Sequence, residues 1–465
     1  MSPLELNSGD TAWILTSAAL VMLMTPGLAL FYGGMVRAKS VLNMMMMSFG
    51  ALAVVTLLWV VYGYSMAFGD DVGGGLLGNP GQYFGLSGLM TPDEEATYPV
   101  MAFVAFQVVF AIITAALISG AIADRAKFST WLIFVAIWVS VVYFPIAHWV
   151  FDFSLDDHVG GWIANSLAAI DFAGGTAVHI NAGAAGLALA LVLGKRIGFR
   201  REPMRPHNLP LVMLGAGLLW FGWFGFNAGS ALGANNTAAV TWVTTMVATA
   251  AAVIGWLVTE RIRDGHPTSL GAASGVVAGL VAITPACSSV SPVGAIFVGG
   301  IAGVLCALAV GLKYKLGYDD SLDVVGVHLV GGLWGTIAVG LFLHADSPAG
   351  VSYEKSGLFY GGGVDQLWRQ IVGALAVLVT SFVLTYLIGL LLDKTIGFRL
   401  SEEDEQTGVD ETEHAESGYD LGSFGGSLRG LGGGGSAPRR ADDSAHAIDK
   451  HAAHDKQAHD REVSA

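Results

Sequence analysis

Long runs of apolar residues recur along the chain, each bounded by charged residues or by clusters of Gly, Pro and Asp. A helix needs about 20 such residues to cross a hydrocarbon core roughly 30 Å thick. Eleven runs reach or approach this length, and the eighth is the shortest: Thr11–Tyr32, Val41–Phe68, Val100–Ala123, Ser129–Val150, Phe172–Leu193, Leu209–Leu232, Ala238–Thr259, Leu270–Ile283, Pro292–Leu312, Val324–His344 and Ile371–Leu392. The pattern predicts an all-α polytopic membrane protein with eleven transmembrane helices.

Basic residues lie almost only in alternate loops. The loops after the even-numbered runs carry only Lys355 and Arg369. The loops after the odd-numbered runs carry Arg37 and Lys39, Arg125 and Lys127, five basic residues from Lys195 to Arg205, Arg261 and Arg263, Lys313 and Lys315, and Lys394 and Arg399. Because cytoplasmic loops are enriched in Lys and Arg, we expect the N-terminus outside and the C-terminus in the cytoplasm. The alternation also supports the number of crossings, since one missed crossing would place every later basic loop on the opposite side of the membrane.

A sequence skeleton occurs twice in the chain. Asp171-x7-His179-x3-Gly183-x2-Gly186 recurs 149 residues later as Asp320-x7-His328-x3-Gly332-x2-Gly335. Five predicted crossings separate the two copies, so their helices run in opposite directions. This arrangement predicts an inverted 5+5 repeat, with repeat one at about 11–193, repeat two at about 209–344, and an outer helix at about 371–392.

The composition is typical of a membrane protein, and the charge distribution sets the C-terminal tail apart from the rest of the chain. The chain is 53% hydrophobic and 13% charged, with a mean hydropathy of +0.59. Its formal net charge is −14, but residues 401–465 alone carry fifteen acidic and six basic side chains. We therefore predict a membrane domain at 1–400 and an acidic cytoplasmic tail at 401–465, largely disordered after about residue 420.

Two histidines lie deep in predicted membrane helices. If Asp171 and Asp320 mark helix starts on opposite faces, eight residues at about 1.5 Å each place His179 and His328 roughly 12 Å below their own surfaces. In a core of about 30 Å the rings then meet near the midplane. Charged rings are costly there, so neutral rings that share one N–H to N hydrogen bond are favoured. The alternative is a structural pair that holds two half-bundles together.

The predicted lumen around these histidines contains no ring of carboxylates. Nothing there replaces the hydration shell of an alkali ion, so the pattern favours a small solute that passes uncharged. Asp171 itself fits an N-cap, with its carboxylate accepting from backbone N–H groups.

Two stretches are unusually aromatic, Phe103–Phe110 in the third run and Trp220–Phe226 in the sixth. Aromatic faces attract a cation that sheds water, by about 0.5–2 kcal/mol, and a stacked pair can exclude water from a passage. The alternative is an interfacial aromatic belt or ordinary packing.

Ten segments of the sequence resemble the Amt/Mep/Rh ammonium transporter family, in its bacterial Amt branch, over nearly all of residues 10–420. They stand in the order found in the family: DTAW at 10–13, TPGLALFYGGMVR at 25–37, FQVVFAIIT at 106–114, PIAHW at 145–149, DFAGGTAVHINAGAAG at 171–186, PHNLP at 206–210, WFGFNAGSA at 223–231, TPAC at 284–287, DVVGVH at 323–328 and GFRLSEEDEQTGVDETEHAESGYD at 397–420.

The resemblance implies a homotrimer in which each subunit has its own pore, with an outer ammonium site, a phenylalanine gate, a pore and one carboxylate of structural and electrostatic importance. The matching positions are Phe106, Phe110, Phe151 and Ser230 for the outer site, Phe110 and Phe226 for the gate, His179, His328 and Trp223 for the pore, and Asp171 for the carboxylate. Phe151 stands where many bacterial members carry Trp, so we expect a weaker cation–π contribution at the outer site.

The sequence and the resemblance together lead to one functional expectation, an ammonium transporter of the plasma (inner) membrane. It would bind ammonium ion outside, remove its proton, and conduct ammonia past the histidine pair, with methylammonium as an analogue. The resemblance implies a PII-type signal protein as a cytoplasmic partner, beside the lipid bilayer. We expect no nucleic acid partner, no cofactor and no metal.

Two alternatives stay open. The chain could be an ammonium sensor that signals through its tail, or a pore for another small neutral solute. A membrane enzyme is disfavoured, since the sequence contains no H-E-x-x-H, G-x-S-x-G or P-loop pattern.

Overall fold

The computed structural model describes residues 5–91, 97–155, 158–202 and 204–419, and the predicted disordered tail after about residue 420 lies outside them. The described part is all-helical, with three isolated β-bridges and no strand. Its long helices are α1 Ser8–Met35, α2 Ala38–Phe68, α3 Val100–Ile122, α4 Phe128–Phe151, α5 Gly175–Leu193, α6 Leu209–Gly229, α7 Asn236–Arg263, α8 Ser269–Ile283, α9 Pro292–Leu316, α10 Val325–Phe342 and α11 Asp365–Thr395. Shorter helical segments lie at Phe84–Leu86, Pro348–Tyr353, Leu358–Tyr360, Glu402–Thr407 and Val409–His414.

Ten of the long helices in the described residues are long and apolar enough to cross a membrane. The exception is α8, which has 15 residues and spans about 22 Å at 1.5 Å per residue. It corresponds to the run that the sequence marks as the shortest.

Polar caps begin several of these helices. The side chains of Asn7, Asn208, Asn235, Thr268 and Ser291 each accept a hydrogen bond from a backbone N–H in the first turn that follows. Such caps satisfy backbone donors that have no partner inside the helix. The ends of α1, α6, α7, α8 and α9 are therefore set by local sequence.

Glycines allow the closest helix contacts. A Cβ atom on Gly299 or Gly303 of α9 would overlap the backbone carbonyl oxygens of Ala248 and Ala252 on α7. The Gly-x3-Gly spacing thus lets two helix backbones touch, which is the dominant way in which helices associate in a membrane.

Several predicted helix boundaries are off by a few residues, and the differences at α5 and α11 have a local physical cause. Helix α5 starts at Gly175 rather than Phe172, because Gly174 has a φ of 112°, which the helix cannot continue through. Helix α11 extends beyond Ile371–Leu392 at both ends. At its start, Arg369 and Asp365 pair at 3.0 Å one turn apart, a contact that stabilises a solvated helix end.

Residues 401–418 pack on the loops that carry most of the basic residues, an end of the bundle that we call the basic end. Glu405 accepts from Ile197 N at 2.7 Å and pairs with Arg399 at 3.0 Å. Asp410 accepts from Leu42 N at 3.0 Å and Asn43 N at 2.8 Å. The compact unit runs from Met1 to Gly418, and Tyr419 is the one described residue of the second unit, Tyr419–Ala465.

A buried ionic cluster joins three loops at the basic end. Arg196 pairs with Asp319 at 2.8 Å, and both side chains are almost fully buried. Arg125 donates to Ser321 Oγ at 2.7 Å and to Asp319 O at 2.6 Å. Burial lowers the pKa of Arg125 to about 10, so its guanidinium stays charged at neutral pH.

Candidate functional site

The two repeated histidines meet inside the bundle. His179 on α5 and His328 on α10 are 1% and 3% exposed. Their Nδ1 atoms are 3.3 Å apart, and their ring centroids are 5.4 Å apart at an interplanar angle of 24°. A hydrogen bond between two ring nitrogens needs one donor and one acceptor, so neutral rings of complementary tautomers fit this geometry. Among the described residues, His179 Nε2 is buried with no hydrogen-bond partner.

Each histidine is placed by the aspartate that precedes it. Asp171 accepts from Gly174 N at 2.8 Å, Gly175 N at 2.7 Å and Thr176 N at 2.7 Å. Its counterpart Asp320 accepts from Val324 N at 3.1 Å and Val325 N at 2.7 Å. These bonds are the capping contacts that the sequence predicts for Asp171.

Both histidines lie on π-helical turns, Gly175–Ile180 and Val325–Leu329. A π turn is rare and occurs often at functional sites. The wider turn changes the direction in which each ring leaves its helix. Hydrophobic periodicity does not encode this feature, and the sequence analysis missed it.

The repeated glycines are the points where α5 and α10 cross. A Cβ atom on Gly183 would lie 2.6 Å from Leu329 Cβ, and one on Gly332 would lie 3.1 Å from His179 Cβ. The absence of side chains at both glycines lets the helices approach closely enough for the rings to touch. The repeated skeleton therefore encodes the cap, the ring and the crossing point in one segment.

A narrow apolar cavity adjoins the histidine pair. Its volume is about 10 Å³, close to the lower limit for holding one water molecule. Trp223 stacks on His179 with ring centroids 5.3 Å apart and donates to Thr284 Oγ1 at 2.9 Å. The cavity is lined by Met24, Leu28, Phe31, Ile113, Leu117, His179, Leu219, Trp223, Phe226, Val277 and His328.

A stacked phenylalanine pair separates this cavity from a larger cavity at the end of the bundle opposite the basic end. Phe110 and Phe226 lie 4.3 Å apart between ring centroids, at an angle of 27°, and both are buried. Phe226 also lies 6.0 Å from His179. A ligand that reaches the histidines from this side has to displace the two rings.

This larger cavity, which we call the vestibule, lies on the side of the stacked pair away from the histidines. It has a volume of about 810 Å³, and its walls include all four residues predicted for the outer site, Phe106, Phe110, Phe151 and Ser230. Ser230 donates its hydroxyl proton to Phe226 O at 2.9 Å. Its oxygen lone pairs are therefore left to accept from a cation with N–H groups.

A carboxylate and histidine network on the vestibule side was missed by the sequence analysis. His158 contacts Asp70 at 2.7 Å through Nδ1 and Asp152 at 3.0 Å through Nε2. His148 in turn lies 3.2 Å from Asp152 and 3.3 Å from Asp71. Burial lowers the pKa of His158, but hydrogen bonds and charge from both carboxylates outweigh it and raise that pKa overall. His148 lies at the end of α4 and Asp152 and His158 in the loop that follows it, whereas Asp70 and Asp71 come from the loop after α2. Spacing within one segment therefore does not reveal the whole network.

The described residues contain no group of three or more His, Cys, Asp or Glu side chains arranged to hold a metal ion. Cys287 and Cys306 are both buried, free thiols.

A protein-family model described as Ammonium Transporter Family matches residues 12–419. An ammonium transporter of Mycobacterium tuberculosis is 63% identical over 442 residues, covering 91% of this chain and 92% of that protein. One from Aquifex aeolicus is 49% identical over 422 residues, covering 90% and 95%.

Two solved structures have a fold similar to that of this chain. Saccharomyces cerevisiae Mep2 is 33% identical with a TM-score of 0.77, covering 86% of this chain and 91% of that one. A structure described as Sensor Amt Protein is 30% identical with a TM-score of 0.80, covering 87% and 98%.

Proposed function

Since the chain belongs to the ammonium transporter family and is a multi-pass membrane protein, we propose that it moves ammonium as ammonia through the passage between its vestibule and its histidine pair. The observation that carries this proposal is the contact of His179 and His328 at 3.3 Å beside a narrow, otherwise apolar cavity. The path has three stages, each tied to its own residues.

Ammonium ion first binds in the vestibule. The Ser230 oxygen accepts a hydrogen bond from one N–H group of the ion. The rings of Phe106, Phe110 and Phe151 face the ion as cation–π partners. Each ring contributes about 0.5–2 kcal/mol, toward the higher value as water is excluded. A cation without N–H groups gains less from the hydroxyl acceptor.

The ion then gives its proton to water in the vestibule before it reaches the histidines, and ammonia takes up a proton from water at the basic end. The 10 Å³ cavity offers no ring of oxygen ligands in place of a hydration shell, so a charged solute pays a desolvation cost that ammonia does not. Phe110 and Phe226 separate the two environments, and transient rotation of the stacked rings admits the neutral molecule.

Ammonia passes the histidine pair as a hydrogen-bonded solute. A neutral imidazole nitrogen accepts or donates according to its tautomer, and ammonia can do both. Trp223, stacked on His179 and held by Thr284, keeps the ring in place. Asp171 fixes the start of the π turn that carries His179.

The remaining expectations follow as parts of the same proposal. All eleven helices, α8 included, cross the membrane as an inverted 5+5 repeat, with the N-terminus outside and the basic end in the cytoplasm. The chain assembles as a homotrimer in the plasma membrane, with one passage per subunit, and a PII-type signal protein binds at the cytoplasmic end. Residues 1–400 with the docked segment to Gly418 act as the transport domain.

Uptake into proteoliposomes tests this function. Vesicles that contain the protein should accumulate methylammonium and give a transient current on ammonium pulses. Empty vesicles and vesicles exposed to Na⁺ or K⁺ at the same concentration serve as controls. Responses equal to those of empty vesicles would contradict the proposal.

A sensor role is the second candidate, favoured by one observation. The segment after Ser401 contacts the starts of two membrane helices, since Asp410 accepts from Leu42 N and Asn43 N and Glu413 accepts from Phe128 N at 2.8 Å. A change in the membrane helices can therefore reach this segment. Removal of residues after Asp420, with flux and the cellular nitrogen response measured separately, distinguishes signalling from transport.

A further inference from the structure

The start of α11 lies against the loop that leads into α5. Three side chains in its first two turns donate to backbone carbonyl oxygens of that loop: Gln366 to Ala168 at 3.3 Å, Arg369 to Leu167 at 2.6 Å and Gln370 to Ile170 at 2.7 Å. Ile170 directly precedes Asp171, which accepts from the first N–H group of the π turn that carries His179. The last membrane helix of the chain therefore holds the segment that sets the start of α5.

Gln370 binds both backbone groups of Ile170. Its Oε1 accepts from Ile170 N at 2.7 Å, and its Nε2 donates to Ile170 O at 2.7 Å. Because two bonds hold one residue, Ile170 can neither shift nor rotate relative to Gln370 without breaking one of them. Gln370 is 0% exposed, so water cannot replace a bond that is lost.

The other two hydrogen-bonding positions of the Gln370 amide are also occupied. Its Oε1 accepts from Gln366 Nε2 at 3.0 Å, and its Nε2 donates to Thr336 O at 3.2 Å. A side-chain amide has two acceptor positions and two donor hydrogens, and described residues fill all four. The reversed amide would place its NH₂ group against the N–H of Ile170 and its oxygen against two carbonyl oxygens. The Gln370 side chain is therefore held in one orientation.

The bond to Thr336 brings α10 into the same network. Thr336 lies eight residues after His328 on α10, a distance of about 12 Å at 1.5 Å per residue. One turn before Thr336, Gly332 packs on the start of α5, since a Cβ atom there would lie 3.0 Å from Gly175 O. One side chain of α11 thus bonds to α10 and to the loop before α5.

Asp171 transmits the position of Ile170 to the turn that carries His179. Its carboxylate accepts from three successive backbone N–H groups, those of Gly174, Gly175 and Thr176. The loop and the first turn of α5 therefore move together. The Nδ1 atoms of His179 and His328 are 3.3 Å apart, already long for a hydrogen bond, so a small separation of α5 from α10 breaks their contact.

We infer that Gln370 is a positioning residue for transport, because it holds the loop before α5 and helix α10 at the spacing at which His179 and His328 meet. This inference rests on the proposed function, which assigns the passage of ammonia to that histidine pair. Gln370 lines neither the vestibule nor the narrow cavity, so it acts through other residues and not on the solute. Helix α11, which stands outside the predicted 5+5 repeat, contributes to transport through this amide.

Gln370→Met keeps the approximate length of the side chain and removes its four hydrogen bonds. In proteoliposomes we expect the maximal ammonium current to fall about five-fold or more, because the passage step is impaired. The half-saturating ammonium concentration should stay within about two-fold of the wild type, since the vestibule residues are unchanged. A maximal current equal to that of the wild type overturns the inference.

Thr385 provides a matched control on the same helix. It is also 0% exposed, and its Oγ1 accepts from Trp138 Nε1 at 2.8 Å, a bond to α4 rather than to α5 or α10. Thr385→Val removes this bond and keeps a similar shape, and its maximal current should equal that of the wild type. Equal losses in Gln370→Met and Thr385→Val would show that any buried bond of α11 has the same effect, which contradicts a positioning role.

A double variant separates positioning from a general loss of stability. If Gln370 acts through the histidine pair, Gln370→Met should change the current of His179→Ala by no more than about two-fold, since the contact that it supports is already absent. Independent effects would multiply instead. A further fall in current as large as that of Gln370→Met alone therefore overturns the inference.

Hydrogen exchange of the purified full chain follows the clamp itself. In Gln370→Met, the peptide that contains Ile170 should exchange faster than in the wild type, and the peptide around Trp138 should not change. Gln366→Met, which removes one bond to Gln370, should produce both the faster exchange and the lower current to a smaller extent, and it replaces Gln370→Met if that variant does not fold. Unchanged exchange at Ile170 in the folded variants contradicts the clamp.

The two levels of the account fail in different ways. A wild-type protein without ammonium current above that of empty vesicles contradicts the proposed function. A wild-type current that the Gln370 and Gln366 variants both retain in full contradicts only the positioning role.

Discussion

At the scale of single residues, the proposed outer site depends on how strongly its aromatic rings attract a cation. Phe151 lines the vestibule, 6.4 Å from Phe110 between ring centroids. Its benzene ring presents a weaker cation–π face than an indole. Under the proposed function, the affinity of the outer site therefore depends on a residue that departs from the common family pattern.

Phe151→Trp should strengthen ammonium binding. A gain of about 0.5–1 kcal/mol from the indole face corresponds to a two- to five-fold lower half-saturating concentration. The concentration dependence of the ammonium current measures it. Phe84→Trp is the control, since Phe84 is exposed and does not line the vestibule. An unchanged or higher half-saturating concentration for Phe151→Trp would count against a cation site at this ring.

His158 should make the stability of the outer loops depend on pH. Its folded-state pKa is raised above the ordinary value of 6.5 by Asp70 and Asp152, which outweigh its burial. Such a group contributes stability that is fully present below pH 6.5 and is lost as pH rises through the folded pKa. The difference in melting temperature between wild type and His158→Gln should therefore be largest below pH 6.5 and shrink above it.

His266 provides the reference for that comparison, because it lies on the exposed loop after α7. A melting-temperature difference for His158→Gln that is constant from pH 5 to 9, or no larger than that of His266→Gln, would exclude an ionic role for the His158 network.

At the scale of helices, α5 and α10 are built by the same device of cap, π turn and crossing glycine. The closeness of the crossing, rather than the apolar surface, decides whether the two rings can meet. Gly183 has no room for a side chain, since a Cβ atom there would lie 2.5 Å from Leu329 N. A methyl group added at Gly183 therefore affects both the packing of α5 on α10 and the contact between the two histidines.

Gly183→Ala should destabilise the protein by about 1–3 kcal/mol through overpacking, and it should reduce the ammonium current along with the melting temperature. Gly300→Ala is the matched control, because a Cβ atom at Gly300 meets nothing within 4 Å. Equal melting temperatures for the two variants would show that the crossing tolerates a methyl group.

The α-helical part of α2 begins at Val41, after a 3-10 turn at Ala38–Ser40, and the C-terminal segment caps it. Ser40 makes no side-chain cap for this part, whereas Asp410 accepts from the backbone N–H groups of Leu42 and Asn43 in its first turn. Asp410→Ala should cost about 0.5–2 kcal/mol, the usual cost of losing an N-cap. Thermal unfolding of the detergent-solubilised protein measures it, with the exposed Glu411→Ala as control. If both variants melt together, Asp410 does not cap α2.

The helices and the histidine contact follow from the sequence because they rest on signals within one segment. Apolar length gives the helices, and the repeated spacing of Asp171 and His179 gives two rings on opposite helices. The late start of α5 depends on the positive φ of Gly174, which apolar length does not report. The vestibule network joins side chains from distant loops, such as Asp152 and Asp70, and only the folded chain brings them together.

At the scale of the whole molecule, a large vestibule and a narrow apolar cavity lie on two sides of one stacked ring pair. Helices α5 and α10 meet at the histidines, and the loop after α5 and the loop before α10 meet again at the basic end, where Arg196 pairs with Asp319. Under the proposed function, the histidine contact is both a structural centre and the narrow point for the solute. Transport and fold can be separated only by measuring both in the same variants.

The most direct test of the account is the current on solid-supported membranes after ammonium pulses, compared among wild type, His179→Ala, His328→Ala and the exposed-loop control His266→Ala. Each variant is first shown to melt within a few degrees of the wild type. We expect the ammonium current of both pore variants to be at least ten-fold smaller than that of the wild type, and the current of His266→Ala to equal it. Folded His179→Ala and His328→Ala proteins that carry the wild-type current with wild-type selectivity over K⁺ would contradict the role of the histidine pair.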